Sequence, residues 1–313
     1  MRQKRTSQGF PIFPKTLCEF QRRFATEEAC IAYLINIRWP VGFECPFCQC
    51  GKAWRLSLRS FRCQGCRKEI YVTAGTVIHR SHIPLQYWFW AAYLMSTLTP
   101  GISALQIQHQ LGIGSYETAL YLCRRLRRAM VNPAREPLNG VVEADEFYVG
   151  GPKKGRRGRG SEGKVTVAAA VENRGDHTGR IRLQIIPDAS SKSLHSFVRN
   201  NVACGSQVNT DDWGGYMGLE ACGYNHQPRV EGFPGNAAKI LPWVHKVIGN
   251  LKTWLRGTHH GVDPEHLQEY LDEFTFRYNR RHYRESAFLT LLVLVTKLKP
   301  LRLNSKKLVA SSG

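Results

Sequence analysis

The sequence predicts an α+β, multidomain chain: a small cysteine-knuckle module and a helical hairpin first, then an α/β domain on a mixed five-stranded sheet with helices. Three observations predict it. Cys45-Pro-Phe-Cys48 and Cys63-Gln-Gly-Cys66 form two Cys-x-x-Cys knuckles with 14 residues between them. A helix, short glycine turn, helix pattern follows over residues 103–130. Beyond it, three extended segments in succession give way to helix, strand, helix, strand, helix.

Composition limits the partners. The 313 residues carry 44 Lys plus Arg against 24 Asp plus Glu, a net charge of +20 and a pI near 9.8. Such an excess points to a polyanion, nucleic acid first and an anionic membrane second. Tyr87–Leu98, the longest apolar candidate, is too short to span a bilayer. The basic amino terminus is not followed by the apolar stretch of a secretory signal, so a cytoplasmic, nucleoid-associated protein is expected. Ten cysteines in that setting suit metal or free thiols rather than disulfides.

In chain order, residues 1–40 are a basic segment followed by one or two short helices, with Thr26-Glu27-Glu28 as a start signal. Residues 41–75 read as a zinc ribbon. Four thiolates from Cys45, Cys48, Cys63 and Cys66 close a tetrahedral site, which leaves no position for water and makes the Zn²⁺ structural. Ala53–Phe61 supplies the hairpin, and Gly65 permits a tight second knuckle. Cys50 is a nearby decoy. Residues 83–132 read as a helix-turn-helix: Ser103 caps one helix, Gly112-Ile113-Gly114 turns, and Ser115–Met130 is the recognition helix. Arg124, Arg125, Arg127 and Arg128 on it suit phosphate contact. A plain helical hairpin with a solvated basic face would show the same pattern.

The α/β domain is expected over 138–292, with a basic tail from 293 to 313. Its first strand, Val141–Gly151, holds Glu143, Asp145 and Glu146 in an apolar run; Glu143 and Asp145 share one face by parity. A wet edge strand would look similar. A carboxylate awaiting a divalent cation is the sharper reading. Pro152–Lys164 then offers a cationic loop with Lys153, Lys154, Arg156, Arg157 and Arg159, suited to DNA phosphates. Strands follow at Lys164–Glu172 and Arg180–Pro187, then a helix at Ser190–Val202 and a short strand ending at Asp211-Asp212. A helix over Gly215–Ala221, a weak strand near Asn225–Val230, a helix from Ala237 broken by Pro242 and a last helix from Pro264 to Arg281 complete the pattern.

That order is the order of the ribonuclease H-like fold. Together with the knuckles and helix-turn-helix, the segments Val-Glu-Ala-Asp145-Glu-Phe-Tyr-Val-Gly-Gly, Asn-Thr-Asp211-Asp-Trp-Gly-Gly-Tyr, His245-Lys-Val-Ile-Gly-Asn250-Leu-Lys252, Gly257-Thr-His-His-Gly and Phe276-Arg-Tyr-Asn-Arg-Arg281 resemble the zinc-ribbon DDE transposases of bacterial insertion sequences. The resemblance runs from about Phe20 to Leu292. It implies binding to the element's terminal inverted repeats and target DNA, a homo-oligomer on that DNA, and strand cleavage and transfer with Mg²⁺ or Mn²⁺. Asp145 and Asp211 fall on the first two acidic places. The third place, usually Glu with Lys or Arg seven residues later, falls on His245 with Lys252, and Asn250 is the second choice; branches of the family carrying His or Asn there are what the resemblance suggests. Imidazole suits Mn²⁺ better than Mg²⁺. Glu273, 62 residues past Asp211, is expected to pair with Arg277 instead. Two rival readings stand beside this one: a degenerate, DNA-binding repressor derived from such an enzyme, and a structure-selective nuclease on the same fold.

Overall fold

A computed structural model of the chain describes residues 11–150, 164–230 and 240–300. They divide into two compact units. One holds the described residues up to Asn132 together with those from His282 onward; the other is Pro133–Arg281.

The first unit begins with two short helices, α1 (Leu17–Arg23) and α2 (Glu27–Arg38), capped by the hydroxyls of Thr16 and Thr26. Strands β1 (Ala53–Arg55), β2 (Ser60–Cys63) and β3 (Glu69–Tyr71) form a small antiparallel sheet. Three helices follow: α3 (Leu85–Thr97), α4 (Ala104–Leu111) and α5 (Tyr116–Ala129). The turn between α4 and α5 forms as its residues dictate. Ser103 and Ser115 cap the two helices, and Gly112 ends α4 at φ 64°, the left-handed conformation glycine adopts without a Cβ penalty.

The unit is closed by a helix that lies at the far end of the sequence, Arg284–Lys297. Its Phe288 ring packs 5.5 Å from Phe20 and 5.7 Å from Phe24, inside an aromatic cluster with Phe89 and Tyr93. The expected division at 292, with a tail beyond, is therefore corrected. Phe288, Leu291, Leu292 and Val295 recur at helical spacing across that position, and their burial holds one continuous helix to the amino-terminal unit.

The second unit is a five-stranded mixed sheet, consistent with a ribonuclease H-like domain. Strands β4 (Val141–Val149), β5 (Val165–Asn173) and β6 (Thr178–Ile185) are antiparallel; β7 (Gln207–Asp211) and β8 (Asn225–Arg229) add in parallel, giving the order β6-β5-β4-β7-β8. Helix α6 (Ser191–Asn201) covers one face, and α7 (Pro242–His259) and α8 (Leu267–Tyr278) cover the other. The strand alternation decides which residue meets which layer. Val142 and Ala144 pack on the α6 side, whereas Phe147 joins the cluster under α7.

One expected element differs. Gly215–Ala221 is not an α-helix but two 3₁₀ turns, Gly214–Tyr216 and Glu220–Cys222, because Gly218 sits at φ 90° between them. Pro242 starts α7, where its missing N–H costs no hydrogen bond; Ile240 before it is helical and Leu241 bends, and residues 237–239 of the expected helix lie outside the described residues.

Candidate active site

Two constellations of possible metal ligands form, one in each unit. In the first, the four sulfurs of Cys45, Cys48, Cys63 and Cys66 all lie within 4.8 Å of one another, the closest pairs being Cys45–Cys66 at 3.6 Å and Cys48–Cys63 at 3.5 Å. A tetrahedron with Zn–S bonds of about 2.3 Å requires sulfurs about 3.8 Å apart, so the quartet fits Zn²⁺. Burial raises the Cys45 thiol, but the backbone N–H groups of Phe47 and Cys48 together with the Cys48 and Cys66 thiols pull it down to about 6. Cys48 and Cys63 are raised although backbone N–H groups lower them, because burial and the neighbouring thiols oppose. Gly65 serves by size rather than by backbone freedom. A Cβ there would lie 3.2 Å from Cys50 Cβ and 3.4 Å from Cys48 Sγ, while the left-handed positions of the knuckles fall on Gln49 (φ 59°) and Arg67 (φ 60°). The Cys50 sulfur points away, to the Lys52 carbonyl.

The second constellation is assembled from three elements. Asp145 lies mid-strand on β4 and Asp211 at the end of β7; continuing the parallel Glu143–Asn209 pairing by two residues sets them side by side. His245, on the first turn of α7, brings Nε2 to 3.7 Å from Asp145 Oδ2. Seven residues on, Lys252 Nζ lies 5.4 Å from the Phe147 ring centre. Burial, then the charges of Glu146 and Asp211, push the Asp145 carboxyl up to about 7, and Lys252 pulls the other way. Burial likewise lowers the Lys252 ammonium while Asp145 raises it. Two carboxylates crowded this way, beside an imidazole, form a donor set that a divalent cation would relieve of its repulsion. Among the described residues, the cysteine quartet is the group of such side chains drawn together closely enough to hold a metal ion as it stands. Asn250 is exposed on α7 and is not among the groups brought together, and Glu273 is buried 3.9 Å from Arg277.

The turn after Asp211 holds that carboxylate in place. Trp213 donates its backbone N–H to Asp211 Oδ1 (3.2 Å) and its indole N–H to the Ala189 carbonyl (2.9 Å). Gly215 packs so closely beneath that a Cβ would lie 2.6 Å from the Ala189 oxygen and 2.7 Å from the indole nitrogen. Tyr216, fully buried, shares a hydrogen bond with Glu146 on β4. The sequence shows Glu146 beside Asp145 and Tyr216 at the end of the Asp211 segment, but assigns a role to neither.

The expected phosphate-binding row on α5 is corrected. Arg124, Arg125 and Arg127 are buried, and only Arg128 of the four is not. Arg125 donates to the His79 carbonyl at 3.0 Å and stacks 4.8 Å from Tyr121. At 100° per residue the four arginines fall within an arc of about 160° and share one face of α5, but that face is packed rather than open, as the Arg125–His79 contact shows. Exposed cations beside aromatic rings occur instead on the sulfur-knuckle module: Arg67 lies 4.7 Å over Trp54 and Lys68 4.3 Å over Phe47. Lys153, Lys154, Arg156, Arg157 and Arg159 lie outside the described residues. Among the described residues no helix is long and apolar enough to cross a membrane.

Comparison with known proteins coincides with both constellations. Residues 137–279 match the ISXO2-like transposase domain family, and residues 25–69 match the transposase zinc-ribbon domain family. Over 159 residues, 47% of this chain, the sequence is 33% identical to a Halobacterium salinarum protein described as an uncharacterized protein in transposable element ISH50. The match covers 53% of that relative, so the chain spans about half its length.

Proposed function

We propose that the chain, whose residues 25–69 and 137–279 match the transposase zinc-ribbon and ISXO2-like transposase domain families, is a zinc-ribbon, DDE-type insertion-sequence transposase that binds its element's terminal inverted repeats and catalyses metal-dependent DNA strand cleavage and strand transfer. The observation that carries the catalytic reading is the approach of His245 to Asp145 at 3.7 Å, with the Asp211 charge acting on the same carboxylate. Asp145, Asp211 and His245 would hold Mg²⁺ or Mn²⁺, the imidazole favouring the softer ion. When bound, such a cation supplies activation of the attacking water or 3′-hydroxyl and stabilisation of the leaving oxygen. Lys252, on the same face of α7 as His245, fixes a phosphate oxygen beside the acids, so that the scissile bond is held in line. The ordered turn from Asp211 to Tyr216 keeps the second carboxylate from swinging away between turnovers. The Cys45, Cys48, Cys63 and Cys66 site holds structural Zn²⁺ and takes no part in the reaction.

The presence of His245 where a carboxylate is usual favours one alternative, a degenerate DNA-binding repressor. A cleavage assay on duplexes carrying the element's ends separates the two. Asp145→Ala and Asp211→Ala are each expected to lose cleavage by several orders of magnitude while retaining end binding. His245→Ala should fall comparably, and His245→Glu should recover activity with Mg²⁺ by restoring a hard oxygen ligand. Cleavage by Asp145→Ala at the wild-type rate would end the catalytic reading. A wild-type protein that binds ends tightly and never cuts them would establish the repressor.

A further inference from the structure

We propose that Glu143 is a positioning residue for the divalent-cation site, fixing helix α7 at the one register along β4 in which His245 meets Asp145; the proposal rests on the reading of Asp145, Asp211 and His245 as that site. Glu143 is 1% exposed, and both of its carboxylate oxygens are engaged. Oε2 accepts the backbone N–H groups of Trp243 (2.8 Å) and Val244 (2.9 Å), the first turn of α7. Oε1 accepts the side-chain amide of Asn173, at the end of β5, at 3.1 Å. Glu143 is thus not a spare acid beside Asp145 on the same strand face. It is a side-chain cap on a helix that begins 100 residues later.

The three residues of that strand face meet α7 in order. Glu143 holds residues 243 and 244, Asp145 faces His245, and Phe147 lies under Lys252. The lengths match: four strand residues span about 13 Å and nine helix residues about 13.5 Å, so strand and helix run side by side. The remaining contact is apolar. Val244, Val247, Ile248 and Leu251 pack on Val167, Ala169 and Val171, and apolar packing is non-directional. A slip of one residue along α7 moves the helix about 1.5 Å and turns it by about 100°, enough to carry His245 off the site. The two N–H bonds at the first turn are directional and forbid that slip. The helix dipole, positive at this end, adds to the preference for a carboxylate. The same device recurs in the other unit, where Glu27 accepts the N–H groups of Leu85 (2.9 Å) and Gln86 (3.1 Å) at the start of α3.

Reach and charge are separable by substitution. Glu143→Gln keeps a carbonyl oxygen at the same distance without the charge; Glu143→Asp keeps the charge but is one methylene too short to meet both N–H groups. Each variant is made alone and with His245→Ala in the zinc-loaded full chain, and Mn²⁺ binding is titrated by the paramagnetic resonance of the free ion. Glu143→Gln is expected to bind Mn²⁺ within about twofold of wild type, and Glu143→Asp to bind about tenfold more weakly, the cost usual for an outer partner of a metal ligand. Because Glu143 acts through His245, Glu143→Asp combined with His245→Ala should bind no more weakly than His245→Ala alone. If the two losses multiply, or if Glu143→Gln is as weak as Glu143→Asp, Glu143 acts on the ion by its own charge and the positioning proposal is overturned. If His245→Ala leaves Mn²⁺ affinity unchanged, the site reading itself fails, a result distinct from either.

Discussion

The cysteine quartet draws all its donors from two knuckles between residues 45 and 66, whereas the acidic site draws Asp145, Asp211 and His245 from two strands and a helix spread between residues 145 and 245. The electrostatics of the two sets differ in pattern. At the knuckles the four thiols split: backbone N–H groups and neighbouring thiols overcome burial and draw Cys45 down to about 6, whereas Cys48 and Cys63 are raised. At the acidic site, burial and neighbouring acids drive Asp145 up to about 7, away from its charged form. A divalent cation would favour the charged form in both sets, thiolate at the knuckles and carboxylate at Asp145.

The largest effect should come from breaking the closed site. Cys63→Ser, or stripping with a strong chelator, is expected to remove about one zinc per chain and with it binding free energy on the order of 10 kcal/mol. Hydrogen exchange should then show β1, β2 and β3 unprotected while β4 and β5, stabilised by their own ladder and core, keep their protection. A Cys63→Ser protein that retains full zinc by elemental analysis would sink the four-sulfur assignment.

A medium effect tests the carboxylate half of the comparison. Glu172 is buried on β5, the neighbour of β4, and yet is stabilised as the anion where Asp145 is not. Burial opposes its charge, but the Arg180 guanidinium (2.7 Å), the N–H groups of Arg180 and Asn139, and Arg174 outweigh it and hold the carboxyl down to about 2. A folded value below the ordinary one of about 4.3 gives stability that is complete above that pH and lost as pH falls through the folded value. Glu172→Gln should therefore cost about 1–3 kcal/mol at pH 7 by urea unfolding, with the gap to wild type closing near pH 2. A pH-independent difference would show that shape rather than charge is lost.

Legibility followed the same division. The cysteine spacing spells out the first site; for the second, parity puts Glu143 and Asp145 on one strand face, and the resemblance to the ribonuclease H-like order implies the choice of Asp145 and Asp211. His245 was reachable only through the resemblance and the seven-residue step to Lys252. What escaped depends on contacts remote in sequence. Glu143 caps a helix 100 residues away, Glu27 caps one 58 residues away, and the helix Arg284–Lys297 returns to the amino-terminal unit through Phe288. No local pattern encodes such returns, since a buried carboxylate and a wet one have the same letter. The α5 arginines failed for a related reason: charge marked them as surface, and their face, opposite the buried Ala119, Leu122 and Leu126, is covered by residues distant in sequence such as His79.

That failure moves the expected DNA contact to the knuckle module, and the smallest of the expected effects tests the move. Trp54 is 44% exposed on β1 with the Arg67 guanidinium over its ring, and Phe47 is 61% exposed beneath Lys68. Aromatic faces interleaved with cations suit a nucleic-acid backbone and unstacked bases. They are also what a small sheet with little interior displays, so the function needs its own measurement. An exposed cation–π pair is worth about 0.5–1 kcal/mol, which sets the scale. Trp54→Ala should weaken binding to an end duplex about two- to fivefold by fluorescence anisotropy at fixed salt, with zinc content unchanged. Arg127→Ala supplies the contrast. Its side chain is fully buried, so its loss should lower the unfolding midpoint while leaving the salt slope of binding where it was. Should Trp54→Ala bind as wild type and Arg127→Ala flatten the slope, α5 is the DNA-facing element after all and the knuckle module serves only as a zinc-held brace.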